Sequence, residues 1–138
     1  MKVHALFCLC VATACTTASV RDAELQPKAF EVVEAFDAPG DRLEIEEILS
    51  DRAVLEAGAT LRARGRYHLE SASEAQIYFG LTNGEIHADP PRKIAAGEGT
   101  FDLTLTVVRP GQAHVSLYAG GGPNNCIGKR RIVLEPRH

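Results

Sequence analysis

Tryptophan is absent from the 138 residues, methionine occurs once and aromatic residues make up 6% of the chain. Any interior must therefore be filled mainly by aliphatic side chains. Paired cysteines are also missing: Cys8, Cys10 and Cys15 fall in the first fifteen positions, and only Cys126 lies beyond them. A disulfide framework, which needs cysteines spread through the fold, is excluded. Clustered positive charge is lacking too. A net charge of −3 and a pI near 5.9 do not fit a nucleic-acid binder, whose affinity depends on massed cations releasing counterions. There is no Gly-x-Ser-x-Gly, no His-Glu-x-x-His and no phosphate loop, so the motifs that announce nucleophilic, zinc-hydrolytic or nucleotide chemistry are absent. No enzyme activity and no cofactor are expected.

What is present is a two-residue period. Between Gly58 and Leu81, Leu61, Ala63, Gly65, Tyr67 and Leu69 alternate with Arg62, Arg64, Arg66, His68 and Glu70, the pattern of a half-buried strand. Ser71 to Glu74 interrupt it, and Ala75, Ile77, Phe79 and Leu81 resume it before an Asn83-Gly84 turn signal, so two consecutive strands are predicted. Phe101, Leu103, Leu105 and Val107 alternate with Asp102, Thr104 and Thr106. Arg109-Pro110-Gly111-Gln112 has the residue chemistry of a type II turn. Ala113, Val115, Leu117 and Ala119 form the next strand, and Ile127 to Leu134 the last.

Ahead of these, Leu43, Ile45 and Ile48 make a first strand that loses register at Glu46-Glu47, as a bulge would cause. Ala53 to Glu56 is a second short piece. Glu85 to His87 is a short edge candidate, since Asp89-Pro90-Pro91 cannot continue as central strand. The Arg62, Arg64 and Arg66 stripe is expected to pair with Glu44 and Glu46 on the neighbouring strand.

Seven or eight short strands with turns about every ten residues resemble an immunoglobulin-like fold. The resemblance implies an all-β, Greek-key β-sandwich over residues 43–138, without the cysteine pair, tryptophan or tyrosine corner of antibody domains. Architecture of this kind does not by itself imply function.

The start of the chain has a different character. Met1 and Lys2 precede apolar or small residues from Ala5 to Ala14, a run too short to cross a bilayer as a helix and typical of a signal peptide over 1–14. Val11-Ala12-Thr13-Ala14-Cys15 resembles the lipobox of bacterial lipoproteins. That resemblance implies lipidation of Cys15 and attachment to the outer membrane or cell envelope. The same residues contain Ala12-Thr13-Ala14, a site for ordinary signal peptidase that would leave a soluble periplasmic or secreted chain. Residues 15–42 are expected to be an acidic tether, with a short helix over Ala29 to Phe36 placing Phe30, Val33 and Phe36 on one face.

If the strands connect as in an immunoglobulin-like domain, the loops Ser71 to Glu74, Ala88 to Glu98 and Ala119 to Ile127 gather at one end. Candidate binding positions on or beside them are Glu74, His87, Asp89, Gly121, Asn124, Asn125 and Cys126. The expected role is a non-enzymatic binding or structural module held to the membrane by lipid, its partner an envelope protein or glycan. The alternative is a secreted metal-binding protein or enzyme using His87, Asp89 and Cys126.

Overall fold

The computed structural model describes residues 25–120 and 125–135. The expected signal peptide, Cys15, Gly121 and Asn124 lie outside these residues. Eight strands and no helix occur among those described: β1 (Gln26–Pro27), β2 (Phe30–Asp37), β3 (Arg42–Ser50), β4 (Thr60–Thr82), β5 (Glu85–Ala88), β6 (Arg92–Arg109), β7 (Gln112–Ala119) and β8 (Cys126–Leu134). Every pairing is antiparallel, and the sheet is curled. One path runs β1-β3-β4-β7-β8-β2, with β6 joined to β4 and β5 joined to β6.

The sheet curls because β4 and β6 are long enough to serve different neighbours along their length. The first half of β4 pairs with β3, Arg42 lying opposite His68 and Ser50 opposite Leu61. Its second half pairs with β7, from Ala75 opposite Ala119 to Thr82 opposite Gln112. Strand β6 accompanies both halves. The two strands expected from the sequence are therefore one strand of 23 residues. The interruption at Ser71–Glu74 marks where β4 changes partners. Because Leu69 and Ala75 are an even number of residues apart, the same face stays inward on both sides of it.

That inner face forms the core. Leu43, Ile48, Leu61, Ile77, Leu105, Val107, Val115 and Leu117 are almost wholly removed from water, and they come from all four of the central strands named above. The bulge expected at the doubled glutamate is present, with a register shift between Ile45 and Glu47. It returns Ile48 to the buried face.

Three expectations require correction. Ala29 to Phe36 is strand, not helix: β2 pairs with β8 from Phe30 opposite Leu134 to Asp37 opposite Gly128. A register shift between Val32 and Glu34 adds one residue, and this bulge gives the apolar positions their helix-like spacing. Ion pairs across the pair, Lys129 to Glu34 at 3.8 Å and Arg131 to Glu34 at 3.5 Å, favour the extended form that a two-turn helix alone in water would not hold. Second, the stretch expected as tether contributes to the sheet from Gln26 onward. Gln26 lies opposite Ser50, Lys28 donates to the Ile48 carbonyl at 2.8 Å and Glu135 donates to the Ala29 carbonyl at 3.0 Å. Residues 26–37 thus link the two ends of the strand path and close the curl. Third, Gly111 does not have the positive φ that a type II turn requires; among nearby turn residues it is Asn83 that does, at 62°. Glycine is needed at 111 for close approach, because a Cβ there would press on the Thr82 carbonyl and the Gly84 backbone.

A similar approach occurs inside the curl, where Gly65 lies opposite Phe101. A Cβ at 65 would run into the Phe101 ring and the Glu44 carbonyl oxygen. Since the backbone on one side cannot yield, Gly65→Ala should destabilise the protein by about 1–3 kcal/mol, the usual range for overpacking a core. Equilibrium urea unfolding measures this, and an unchanged midpoint would mean that Phe101 does not rest on Gly65.

Candidate functional site

The sheet has two distinct ends, fixed by the pairing register. At one, the chain enters through Gln26 beside Ser50, and Ser50 lies opposite Leu61. At the other are the β2–β3 turn, the Glu70–Ser73 segment of β4, Gly97 opposite Leu69, and Asn125, whose carbonyl accepts from the Ala119 N–H at 3.0 Å. Leu61 and Leu69 are eight residues apart on an extended strand, about 26 Å at ~3.3 Å per residue.

Strand β4 changes neighbours at this far end. Pairing with β3 stops at His68, pairing with β7 starts at Ala75, and the register with β6 shifts between Leu69 and Glu74. Backbone N–H groups in such a gap must find other acceptors. Asp41 supplies them: its Oδ1 accepts from the Glu70 N–H at 2.7 Å and the Ser71 N–H at 2.9 Å, and its Oδ2 accepts from the Ser71 hydroxyl at 2.5 Å. The residue is buried. Burial alone would raise its carboxyl pKa, but the Ser71 hydroxyl, the two backbone donors and the nearby His68 outweigh it and hold the group below the ordinary value of 3.8.

Beside this latch is a cleft of about 540 Å³ lined by Asp41, Arg42, Glu44, Arg66, His68 and Glu98 among others. His68 lies between two carboxylates, 3.7 Å from Glu70 and 3.9 Å from Glu98. Its Nδ1 is buried and finds no hydrogen-bond partner among the described residues. Glu98 keeps 87% of its side chain exposed and Glu70 68%, so both carboxylates remain available to a ligand.

From the cleft an ion-pair ladder runs along the outer face of β3, β4 and β6. Arg66 contacts Glu44 at 3.3 Å and Glu46 at 3.5 Å, as the sequence predicts. Arg64 reaches Glu47 at 3.5 Å and Asp102 at 3.3 Å. Arg62 binds Asp102 through two bonds of 2.7 Å, and the paired arginines depress the Asp102 carboxyl. Exposed pairs of this kind contribute about 0.2–1 kcal/mol each. With its arginines so engaged, the stripe is a paired face.

The positions singled out from sequence are scattered over the sheet. Glu74 is opposite Ala95 and next to the Ala75–Ala119 pair, which sets it and Asn125 at the far end. His87 is on β5 opposite Thr106, and Asp89 lines a separate cleft of about 340 Å³ with Pro90, Pro91 and Asp102. Cys126 is on β8 opposite Tyr118, its Sγ 3.3 Å from the Gly128 carbonyl oxygen. Strands β5 and β8 are separated in the pairing order by β6, β4 and β7. Among the described residues no three His, Cys, Asp or Glu side chains are grouped to hold a metal ion, and His87, Asp89 and Cys126 do not form such a group.

Sequence reasoning missed Asp41, Glu98 and the burial of His114. A signal for Asp41 was available, because an aspartate directly after Pro39-Gly40 opens the strand and aspartate favours capping free backbone donors. His114 occupies the outward face of β7, yet it is buried beneath neighbours. Its Nδ1 shares a 2.8 Å hydrogen bond with the Ser116 hydroxyl, and its ring lies 5.9 Å from that of Tyr78. Burial, assisted by the charge of Lys129, lowers its pKa from 6.5 to about 4.

Two acid-dependent losses of stability are expected, in separate pH windows. The unfolded chain takes up a proton at His114 near pH 6.5 and the folded one only near 4, so stability falls as pH drops through that interval, by up to about 3 kcal/mol. Asp41 is depressed, so its contribution is complete above 3.8 and disappears as pH falls through its lower folded value. Urea unfolding from pH 7 to 3 tests this: His114→Gln should flatten the upper part of the profile, and an unaltered slope there would contradict the assignment. Comparison with protein-family models, with curated proteins and with solved structures found no match, so the functional reading rests on geometry and sequence.

Proposed function

We propose that the chain is an exported, lipid-anchored module of the cell envelope that binds a partner, protein or glycan, without catalysing a reaction. The observation that carries this reading is the separation between the point of chain entry at Gln26 and the end bearing Asp41, Glu70, Glu74, Glu98 and Asn125. Anchored through Cys15, the domain would hold the entry end towards the membrane and the acidic end away from it. Exposed Glu70 and Glu98 beside the cleft favour a partner that brings positive charge or hydrogen-bond donors.

The curl is proposed to be a two-layer Greek-key sandwich of immunoglobulin-like kind. What supports this is that β4 pairs with β3 along its first half and with β7 along its second, while β6 follows β4 along both halves and carries β5 on its other edge. An antiparallel β2–β8 pair would make it a variant of that plan.

Two measurements test the reading. The intact mass of the membrane-extracted protein should carry a diacylglyceryl or triacyl increment on Cys15, and an unmodified mass starting after Ala14 or earlier would contradict the anchor. Glu70→Gln together with Glu98→Gln, and separately deletion of residues 120–125, should each reduce partner recovery from solubilised envelopes while the fold persists. Undiminished recovery with all of these variants would remove the acidic end as the binding surface.

A further inference from the structure

At the entry end, the β3–β4 connection, the β6–β7 turn and the close of β8 form an apolar cleft of about 310 Å³ lined chiefly by Val54, Leu55, Ala113, Ile132, Val133 and Leu134. Val54 and Val133 each leave 51% of their surface in water. Leu55 and Leu134 are half-buried beside them and Ala113 and Ile132 form a buried floor, so the two valines are the large exposed apolar members of this rim, a surface feature that marks a contact. The cleft at the opposite end is lined instead by Asp41, Arg42, Glu44, Arg66, His68 and Glu98, although Phe36, on the strand leading to it, is 50% exposed.

We infer that this apolar rim rests on the surface of a phospholipid bilayer, inserting Val54 and Val133 at the lipid boundary. The inference rests on the lipid anchor proposed at Cys15. Its physical basis is the length and exit point of the chain between them. Gln26 is opposite Ser50, and Ser50 is only four residues before Val54, so the tether leaves the domain at the edge of the apolar cleft. From Cys15 to Gln26 there are eleven residue steps, a span of at most about 36 Å.

A tether so short keeps the entry end within reach of the headgroups, at an effective concentration set by its length and not by the bulk. Under that condition two weakly lipophilic side chains suffice to fix orientation, although they would not bind a free protein to membranes. The acidic end then points away from the lipid, which also keeps Glu70, Glu74 and Glu98 from the negative surface of the leaflet.

The test uses the full-length, membrane-extracted protein in a Cys126→Ser background, with an environment-sensitive fluorophore on Val54→Cys, Val133→Cys or, at the opposite end, Ser73→Cys. Each is reconstituted into phosphatidylethanolamine–phosphatidylglycerol vesicles containing nitroxide-labelled lipid, and the Cys15 acyl increment is read by mass. With Cys15 acylated, quenching should be severalfold stronger at 54 and 133 than at 73, with blue-shifted emission at the first two. Acylated protein that is quenched equally or more at 73, is quenched nowhere, or buries position 54 against a second copy overturns the orientation but not the anchor. Absence of the acyl group overturns the anchor, and the orientation with it.

Discussion

Two backbone N–H groups, those of Glu70 and Ser71, decide how this sheet is built. A 23-residue strand that leaves one neighbour before meeting the next frees backbone donors in between, and donors without a ladder partner need another acceptor. Asp41 accepts from both, and from the Ser71 hydroxyl as well. The aspartate sits in the turn between β2 and β3, so the strand that closes the curl and the strand that changes partners are fastened at one place. Without that acceptor, the two amides at the change of partners would have no protein hydrogen bond to hold β4 between its two neighbours. The buried faces of its two halves would then no longer share an interior.

The other electrostatic features are of a different kind. The Arg62, Arg64 and Arg66 ladder involves more charges than the Asp41 latch, yet its members are exposed to solvent and screened by salt. Each pair contributes little alone. Its value is in guarding a strand face against association with other sheets. His114 belongs with Asp41 in being buried and in losing stability on acidification, at higher pH than Asp41, because a buried neutral imidazole resists the proton that the unfolded chain readily takes. The ladder is therefore the salt-sensitive part of the structure, and the two buried groups are the pH-sensitive part.

Much of this was legible from the sequence because two-residue alternation reports burial directly. Leu61 to Leu69, Phe101 to Val107 and Ala113 to Ala119 fall as their pattern predicts, and the Glu46-Glu47 doublet marks a real bulge. Failures occurred where one residue was inserted or a partner was distant. The extra residue between Val32 and Glu34 turned a strand into an apparent helix. Ser71 to Glu74 looked like a loop because local sequence does not say that a strand can exchange neighbours without ending. The candidate site was less legible still. Asp41 and Glu70 are 29 positions apart, and nothing in either local pattern says that they meet. His87, Asp89 and Cys126 have suitable chemistry, but chemistry without register does not place them together.

Amide hydrogen exchange at Glu70 and Ser71 tests the central claim most directly. In the native protein these two amides should exchange as slowly as paired amides of β4 such as those of Ala63 and Ile77, and in Asp41→Asn the same two should speed up well before the rest of the strand. Exchange at Glu70 and Ser71 as fast as at the exposed Asn83 turn, in the unaltered protein at neutral pH, would show that the aspartate does not hold the strand at its change of partners.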